Sequence, residues 1–245
     1  MQRIDVKADA QKALGVIQSG GIVVFPHDCG YGVVGGTEET TNKIFDTKQR
    51  GGHKRNTLVS NLETQRELHD LDQRKQDMIE TIAFDHDLPL AAIAPYNPNH
   101  PFIKNLSSEL LRGSTALGRI NLFLNAGNFA NELAALAHDA GQILIASSAN
   151  LTGTGQRFRL ADVQEEVRAI ADLQIDYGLR KYHTYKRSAT IINFATMEVV
   201  RMGACYEVIA DILKQQFDVD IPPDPGLDKN PSGHLQEFAL KGLTE

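Results

Sequence analysis

The sequence predicts an α/β protein in which a twisted, mixed β-sheet is flanked by helices. Short apolar runs that are bounded by glycines or polar loops, such as residues 22–25, are typical of buried strands. Between them lie segments with apolar residues at helical spacing, as in residues 128–140, where Leu133, Leu136 and Ala137 share one face. Alternation of these two patterns is typical of a sheet packed against helices.

The first half of the chain opens with a helix and a buried strand. Residues 9–18 place Ala10, Leu14 and Ile17 on one helical face, and the strand at residues 22–25 follows two glycines. Thr37 is a side chain suited to capping the next helix, because its hydroxyl can accept a hydrogen bond from a free backbone N–H. The later elements predicted here are a helix at 37–48, a strand at 57–60, helices at 61–71 and 74–84, and a strand at 90–94.

The second half continues the alternation after the proline-rich loop at residues 95–101. The predicted elements are a helix at 128–140 ended by Gly141, a strand at 142–147, paired strands at 190–194 and 198–201, and a final helix at 206–217. We therefore expect one domain over residues 1–220. Residues 221–245 begin with a proline-rich spacer and form a C-terminal tail, either flexible or folded back over a cleft as a lid.

Composition excludes several classes of protein. The 245 residues are 42% hydrophobic, enough for a real core, and carry a net charge of −6, which argues against coating nucleic acid with a broad positive field. No run of 18 apolar residues and no signal-peptide pattern is present, so we expect a cytoplasmic protein with no membrane partner. The two cysteines, Cys29 and Cys205, are expected to be reduced thiols.

Basic residues are nevertheless clustered in two places. Such clusters are either solvated surface charge or, if the fold brings them together, a site for one small polyanion. The two groups are Lys43, Lys48, Arg50, His53, Lys54 and Arg55, and Arg180, Lys181, His183, Lys186 and Arg187.

The glycine-rich segment after the first strand is predicted to be a loop, and it has the spacing of a dinucleotide-binding fingerprint at Gly30, Gly32 and Gly35. That fingerprint needs its first glycine at the strand-to-helix turn and an acidic residue at the end of a second strand. Here four residues separate Phe25 from Gly30, and the acid at the right distance, Asp46, lies inside a predicted helix. The sequence therefore predicts neither a dinucleotide site nor a P-loop.

Four motifs in order point to a different family. They are PHDCGYG at 26–32, KQR at 48–50, SSANLTG at 147–153 and SATIINFATMEVVRMGA at 188–204. This order resembles the YrdC-like family, the threonylcarbamoyl-adenylate synthases, with its P-T-[DE]-T-x-Y-G, K-x-R, S-A-N-x-S-G and S-T-x-x-D…R-x-G segments. The likeness covers most of residues 8–208 and implies the family's twisted mixed sheet with a concave basic cleft.

The resemblance also implies the roles of particular residues. Lys48 and Arg50 are the catalytic cations, and such side chains grip phosphates well. Ser148 and Asn150 follow a strand, where ligands of open α/β sheets lie, although they are equally suited to making a turn. The full assignment is Lys48, Arg50, Asn150 and Arg201 for nucleotide binding, and His27, Cys29, Tyr31, Ser148 and Arg119 for substrate binding.

The family's reaction joins L-threonine, bicarbonate and ATP into threonylcarbamoyl-adenylate and pyrophosphate, an intermediate for a tRNA modification. The resemblance thus implies a nucleotidyltransferase whose partners are ATP, bicarbonate and an amino acid, with Mg²⁺ on the phosphates. This chemistry needs positioning and charge neutralisation rather than a protein nucleophile. His27 and Cys29 could instead form a metal pair, but they lack a clear third ligand, so we predict no protein metal site.

Departures from the family pattern affect mostly the part of the site that, by the resemblance, binds the amino-acid substrate. His27 and Cys29 replace two threonines, and Gly118-Arg119-Ile120-Asn121 is all that survives of a G-x-R-x-P element. Ala189, Asn193 and Gly51 replace a serine, an aspartate and a proline, and no tryptophan-containing segment is recognisable near residues 88–94. We therefore expect altered amino-acid specificity. His27, with a charge adjustable near neutral pH, is suited to a more acidic or larger substrate.

Two alternatives remain open at this point. The first is a carbamoyl-transfer enzyme that handles carbamoyl-adenylate and takes its carbon from carbamoyl phosphate. The second is a non-catalytic module that binds RNA through a concave basic face, although the low aromatic content of 7% offers few stacking platforms for single strands.

Overall fold

The structure is a computed structural model that describes residues 4–49 and 55–235. Within these residues the strands are β1 (Val23–His27), β2 (Gly30–Gly35), β3 (Thr57–Val59), β4 (Leu90–Pro95), β5 (Thr115–Ala116), β6 (Arg119–Leu124), β7 (Ile145–Ser148), β8 (Leu173–Gln174), β9 (Thr190–Asn193) and β10 (Glu198–Arg201). They form one mixed sheet in the order β10-β9-β4-β6-β3-β7-β2-β1-β8, with β5 paired to β6. The predicted α/β class is confirmed.

Helices flank the sheet. Within the described residues they are α1 (Val6–Gln18), α2 (Glu38–Thr47), α3 (Leu62–Leu68), α4 (Gln73–Glu80), α5 (Pro101–Lys104), α6 (Ser108–Ser114), α7 (Asn128–Asp139), α8 (Glu165–Ala169) and α9 (Tyr206–Phe217). A π-helical turn, Thr81–Asp85, follows α4. No helix in the described part of the chain combines the length and the apolar character that a bilayer crossing needs.

Local signals explain the elements that the sequence predicts well. The Thr37 hydroxyl accepts from the Thr40 backbone N–H, and the Thr40 hydroxyl accepts in return from the Thr37 N–H, which forms a capping box at the start of α2. At the other end of the chain, α9 has the predicted bounds of residues 206–217. The paired strands at its N-terminal side are β9 and β10, which are antiparallel.

The glycine-rich segment after β1 is a strand, which corrects its interpretation as a loop. Residues Gly30–Gly35 form β2, antiparallel to β1, with Phe25 opposite Gly32 and His27 opposite Gly30. A Cβ at Gly32 would lie 2.6 Å from the Phe25 ring and 3.4 Å from the His27 ring. The glycine is thus required because two rings of β1 cover it, not because a phosphate approaches.

The strand register places four of the predicted site residues, His27, Arg119, Ser148 and Arg201, on one face of the sheet. Paired residues in neighbouring strands point to the same side, and side chains alternate along each strand. Gly32 pairs with Ser148, Leu58 with Leu122, Ile93 with Asn121 and Ile191 with Arg201. We call this side the inner face; it carries His27, Gly32, Thr57, Ile93, Arg119, Asn121, Phe123, Ser148, Asn193 and Arg201.

The sheet curls toward the inner face. β1 and β6 are separated by three strands, so their side chains would lie about 19 Å apart across a flat sheet. Instead the His27 and Phe123 ring centroids lie 5.3 Å apart, and the Asp28 N–H donates to the Ala126 carbonyl at 2.7 Å. The twist that all β-strands have accounts for part of this curvature. The inner face is therefore concave, with the end of β1 folded over β6.

Two apolar clusters hold this geometry. The larger one includes residues of α1 and α7, and within it the Phe129 ring lies 6.2 Å from the Phe25 ring on the concave side. The smaller one lies behind β1 and β2 and includes Val24, Tyr31 and Val167. Because α7 covers only part of the concave side, half-buried polar residues such as Ser148 remain at its other end.

The described part of the tail packs back on the domain. The Met202 N–H donates to the Gly233 carbonyl at 2.8 Å, and an antiparallel bridge joins Arg201 to His234 on β10. Arg187, only 4% exposed, anchors this segment through Asp224, with Nη1 2.5 Å from Oδ2. Residues 219–235 therefore run along α9 and cover the outer edge of β10.

We expect Asp224→Ala to destabilise the protein by about 3 kcal/mol, because it leaves the buried Arg187 guanidinium without its counter-charge. Urea unfolding at pH 7 measures the change. Asp220→Ala is the matched control, since Asp220 pairs with an exposed lysine and is itself 79% exposed. Its loss should cost less than about 1 kcal/mol. Equal effects of the two substitutions would contradict the anchoring role of Arg187.

Candidate active site

The lysine of the KQR motif meets the SAN motif directly. Lys48 caps the C-terminal end of α2, and although it is charged only 2% of its surface is exposed. Its Nζ donates to the Ser148 carbonyl and lies 3.4 Å from the Ser148 hydroxyl. The Thr152 N–H donates back to the Lys48 carbonyl at 3.1 Å. Two motifs about 100 residues apart in sequence thus form one unit, whereas Arg50 lies outside the described residues.

The SAN segment forms a turn and also presents polar atoms. The Asn150 N–H donates to the Ser148 carbonyl at 2.9 Å, and its side-chain Nδ2 donates to the Leu151 carbonyl at 2.7 Å. The Asn150 Oδ1 is buried and has no hydrogen-bond partner among the described residues. A buried amide oxygen without a donor is costly, so this atom is suited to a donor of a ligand.

Arg201 lies at the far edge of the inner face. Its Nε donates to the Ala189 carbonyl at 2.8 Å, which fixes the stem of the guanidinium. Burial lowers the pKa of Arg201 to about 10, so the side chain is still charged at pH 7. The positive charge of Arg201 lowers the pKa of His27, which lies on β1 near the opposite end of the sheet. Arg201 is thus placed to add positive potential to the concave side.

His27 is neutral at physiological pH. Burial, together with the charges of Arg180 and Arg201, lowers its pKa to about 3. The ring is 3% exposed and its Nδ1 has no partner among the described residues. The prediction of a charge adjustable near neutral pH is therefore wrong, because an imidazole buried beside two arginines cannot readily hold a proton. A neutral His27 also offers no cation to a more acidic substrate.

Cys29 and Cys205 are both free and buried thiols. Burial raises the pKa of Cys29 well above its usual range, so this residue stays protonated and is a poor nucleophile and a poor metal ligand. Over the described ranges, 4–49 and 55–235, no group of three or more His, Cys, Asp or Glu side chains is arranged to hold a metal ion.

Tyr31 lies on the opposite side of the sheet from the inner face. It pairs with Pro26, one position out of step with His27 and Gly30, so its side chain enters the smaller apolar cluster. Its hydroxyl lies 2.7 Å from the Asp176 Oδ1 and accepts from the Tyr177 N–H at 3.1 Å. This placement does not fit its predicted substrate-binding role. The physical reason is strand alternation, which a loop interpretation of this segment could not take into account.

Arg119 begins β6 on the inner face, which also carries two polar residues to which the sequence assigned no role, Asn121 and Thr57. The Asn121 Nδ2 donates to the Thr57 hydroxyl at 2.9 Å, and its Oδ1 is buried without a partner among the described residues. Phe123 follows on the same face and meets His27. The run Arg119–Leu124 begins with strict polar and apolar alternation, a strand signal that could have indicated these side chains.

The second basic cluster does not act as a single group. The Arg180 Nε donates to the His27 carbonyl at 3.0 Å, and Lys181 lies 3.6 Å from an oxygen of Asp28. Both are thus near the end of β1. Arg187, by contrast, points away to the tail and Asp224. Only part of this cluster therefore contributes to the concave side.

The chain is similar to known proteins in both sequence and fold. The sequence profile of the Sua5, YciO and YrdC family, described as "Telomere recombination", matches residues 15–203. No protein among the curated sequences matches.

Several solved structures share the fold at low identity. A hypothetical protein from Streptococcus mutans has a TM-score of 0.68 at 18% identity, covering 85% of this chain and 92% of its own. A double variant of P. abyssi Sua5 also has a TM-score of 0.68 at 20% identity, covering 91% of this chain and 60% of its own. P. abyssi Sua5 complexed with L-threonine has a TM-score of 0.67 at 19% identity, covering 91% of this chain and 61% of its own. This chain thus spans about 60% of the length of Sua5.

Proposed function

This chain belongs to the Sua5, YciO and YrdC family, and we propose that it is an ATP-dependent enzyme of the threonylcarbamoyl-adenylate synthase type. The amino acid reacts through its neutral amine with bicarbonate, giving a carbamate and water. A carbamate oxygen then attacks the α-phosphorus of ATP, and the bond to the β-phosphate oxygen breaks. The products are the carbamoyl-adenylate and pyrophosphate. This chain spans about 60% of the length of Sua5, and we propose the activity for this part alone.

The observation that carries the proposal is the buried Lys48 ammonium at Ser148. A charge with 2% exposure is costly unless it is compensated, and the Lys48 Nζ lies at the carbonyl and hydroxyl of Ser148, at the end of strand β7, where ligands of open α/β sheets lie. Such a cation is suited to an anionic ligand. Arg201, still protonated at pH 7, and Arg119 add positive charge on the same face. A polyanion such as a triphosphate is the chemistry that these residues favour.

The residues of this chain would act by binding and orientation. Lys48 and Arg201 would neutralise charge that develops on the phosphates, and the Asn150 Oδ1 would accept from a hydroxyl or amine of the nucleotide. Mg²⁺ bound to the phosphates would supply further charge neutralisation. A Mg²⁺ ion held mainly by substrate phosphates suits this site, since it needs few protein carboxylates and the described residues form no acidic cluster. No protein nucleophile is involved, in accordance with the protonated state of Cys29.

For the amino acid, L-threonine is the first candidate, because it is the ligand of a structure of P. abyssi Sua5 with the same fold. Binding the amino acid and ATP in adjacent positions would by itself increase the rate of their reaction. The amine must be uncharged when it reacts. Arg180 and Arg201, whose charges act at the neutral His27, provide positive potential that favours the uncharged amine over an ammonium.

The test is titration calorimetry with ATP in Mg²⁺ buffer, followed by an assay of pyrophosphate release. We expect ATP binding, and pyrophosphate release that requires both bicarbonate and an amino acid. Release with carbamoyl phosphate instead of these two would indicate the carbamoyl-transfer alternative. No ATP binding, together with RNA affinity that falls steeply with salt, would contradict the enzyme and favour an RNA-binding module.

A further inference from the structure

We propose that residues 233–235 of the tail, here called the edge segment, hold a β-bulge in β10 that turns Arg201 toward the inner face. Arg187 is the positioning residue that anchors this segment, and it affects nucleotide binding through Arg201 without touching a ligand. This role rests on the proposed function, in which Arg201 neutralises charge on the phosphates. It gives the C-terminal tail a part in the affinity of the protein for ATP.

The pairing of β10 with β9 contains one extra residue. Val199 pairs with Ile192 on the antiparallel strand β9. Regular pairing would then set Val200 opposite Ile191 and turn the next side chain, Arg201, away from the inner face. The register shifts instead, so that Arg201 pairs with Ile191 and lies on the inner face. Because a bulge re-aims the side chains that follow it, the extra residue is what places Arg201 on the concave side.

The edge segment pairs with β10 on both sides of Arg201. The Leu235 N–H donates to the Val200 carbonyl at 3.2 Å, and the Met202 N–H donates to the Gly233 carbonyl at 2.8 Å. β10 is the last strand in the order of the sheet, so β9 satisfies only one of its two edges. The bulge thus lies between β9 and the edge segment. Without the second set of hydrogen bonds, β10 would be free to slip by one residue, which turns its side chains to the opposite face.

Arg187 anchors the edge segment from beneath. Its Nη1 lies 2.5 Å from the Asp224 Oδ2, and its Nη2 donates to the Asn230 carbonyl. The stem of Arg187 lies under Gly233, since a Cβ built on that glycine would come 3.1 Å from the Arg187 Cδ. Charge-assisted hydrogen bonds from one buried guanidinium to two points of the tail fix the path of the chain that leads to the edge segment.

The chain next to Arg187 also fixes the side chain of Arg201. The Arg201 Nε donates to the carbonyl of Ala189, which is two residues beyond Arg187. Arg201 is therefore held along its backbone by the edge segment and at the stem of its guanidinium by Ala189. The edge segment bonds to the backbone of β10, so it acts by aiming Arg201 and not by covering a ligand.

Gly233→Ala displaces the edge segment without changing any charge. A Cβ at this position would lie 2.0 Å from the Met202 carbonyl oxygen, and the φ of +76° is strained for alanine. We expect the variant to bind ATP about tenfold more weakly than the wild type, which is the contribution of one hydrogen bond to a charged group. Titration calorimetry in Mg²⁺ buffer measures the affinity.

Gly20→Ala is the matched control for backbone strain. Gly20 has a φ of +79°, but a Cβ there would meet nothing within 4 Å, and the residue follows α1. It therefore carries the same strain without a clash at β10. Its affinity for ATP should stay within about twofold of the wild-type value.

Combination with Arg201→Met tests whether the effect passes through Arg201. Arg201→Met alone should weaken ATP binding about tenfold or more. Added to it, Gly233→Ala should cost less than about twofold, because the edge segment then has no cation to aim. Leu235→Pro removes the N–H that pairs with the Val200 carbonyl, and it should weaken ATP binding as Gly233→Ala does. It provides the same test if Gly233→Ala does not fold.

The part played by Arg187 is tested through its counter-charge. Asp224→Asn keeps the shape of the side chain but removes the charge that holds the guanidinium, so ATP binding should weaken by about threefold to tenfold. Asp220→Asn is the control, since Asp220 is exposed and pairs with Lys214, and it should leave the affinity unchanged. Equal affinities of the two variants for ATP would overturn the assignment of Arg187.

Two further measurements tell a local effect from unfolding. Urea unfolding shows that Gly233→Ala is folded, and hydrogen exchange at the Met202 N–H shows that the edge segment is released. Wild-type affinity for ATP in a folded variant whose Met202 N–H exchanges fast would overturn the role of the edge segment. So would an equal loss in Gly20→Ala, or a full loss on top of Arg201→Met. A wild-type protein that binds no ATP would instead contradict the proposed function itself.

Discussion

Replacing Lys48 with methionine is expected to slow ATP-dependent pyrophosphate release by about a hundredfold to a thousandfold. The Lys48 ammonium is almost fully buried against Ser148. A flexible lysine on the surface therefore could not replace it in the variant. Methionine keeps most of the length and the apolar stem of the side chain, but it removes the charge and the donors to Ser148. The loss should appear in kcat/KM measured from pyrophosphate release, and in the affinity for ATP measured by calorimetry.

Lys43→Met is the matched control, because Lys43 belongs to the same helix, α2, and is exposed. We expect its kcat/KM to stay within about twofold of the wild-type value. Urea unfolding of Lys48→Met distinguishes a catalytic effect from a structural one. We expect a variant that is folded but inactive. A Lys48→Met protein that keeps wild-type kcat/KM would remove the main support for the nucleotide site.

Acidification from pH 7 to pH 5 is expected to lower the free energy of unfolding by about 4 kcal/mol through two buried histidines. Burial lowers the pKa of both His27 and His69 to about 3, against about 6.5 in an unfolded chain. Below pH 6.5 the unfolded chain therefore binds protons at both rings, while the folded protein binds them only near pH 3. Each ring contributes up to about 1.4 kcal/mol per pH unit in that window. Stability from these residues is thus fully present above pH 6.5 and lost as the pH falls toward 3.

Urea unfolding at several pH values between 7 and 5 measures this effect. His69→Leu removes one of the two rings at a position remote in sequence from the inner-face residues, and it should reduce the pH dependence by about half. The ring signals of His27 in NMR spectra should also stay constant between pH 7 and pH 5. A titration of His27 near pH 6.5 would contradict its neutral state.

Much of the fold could be predicted from local signals. The capping threonine at Thr37 and the apolar spacing of residues 128–140 are contained in short segments, and the structure has helices there. Short motifs were also enough to predict the family, which the match over residues 15–203 confirms. These signals work because capping and amphipathic spacing depend on neighbours within a few residues.

The segment after β1 and the strand β6 were harder to predict from the sequence. Glycines at 30, 32 and 35 predicted a loop, yet Gly32 lies in a strand because the rings of Phe25 and His27 need the space that a side chain would fill. The interpretation as a loop also hid the alternation that sends Tyr31 to the far side of the sheet. In both places long-range packing outweighed the local preference of the residues.

By itself the sequence determined the α/β class, the family, and the types of residue available for a polyanion, because each of these depends on composition or on contiguous motifs. Only the tertiary structure decided which of those residues share a face, since strand register and the curl of the sheet bring together positions far apart in the chain. It also decided that His27 is neutral and that Asn121 presents an unpaired oxygen. The pKa of a ring and the partner of an amide depend on surroundings that exist only after folding.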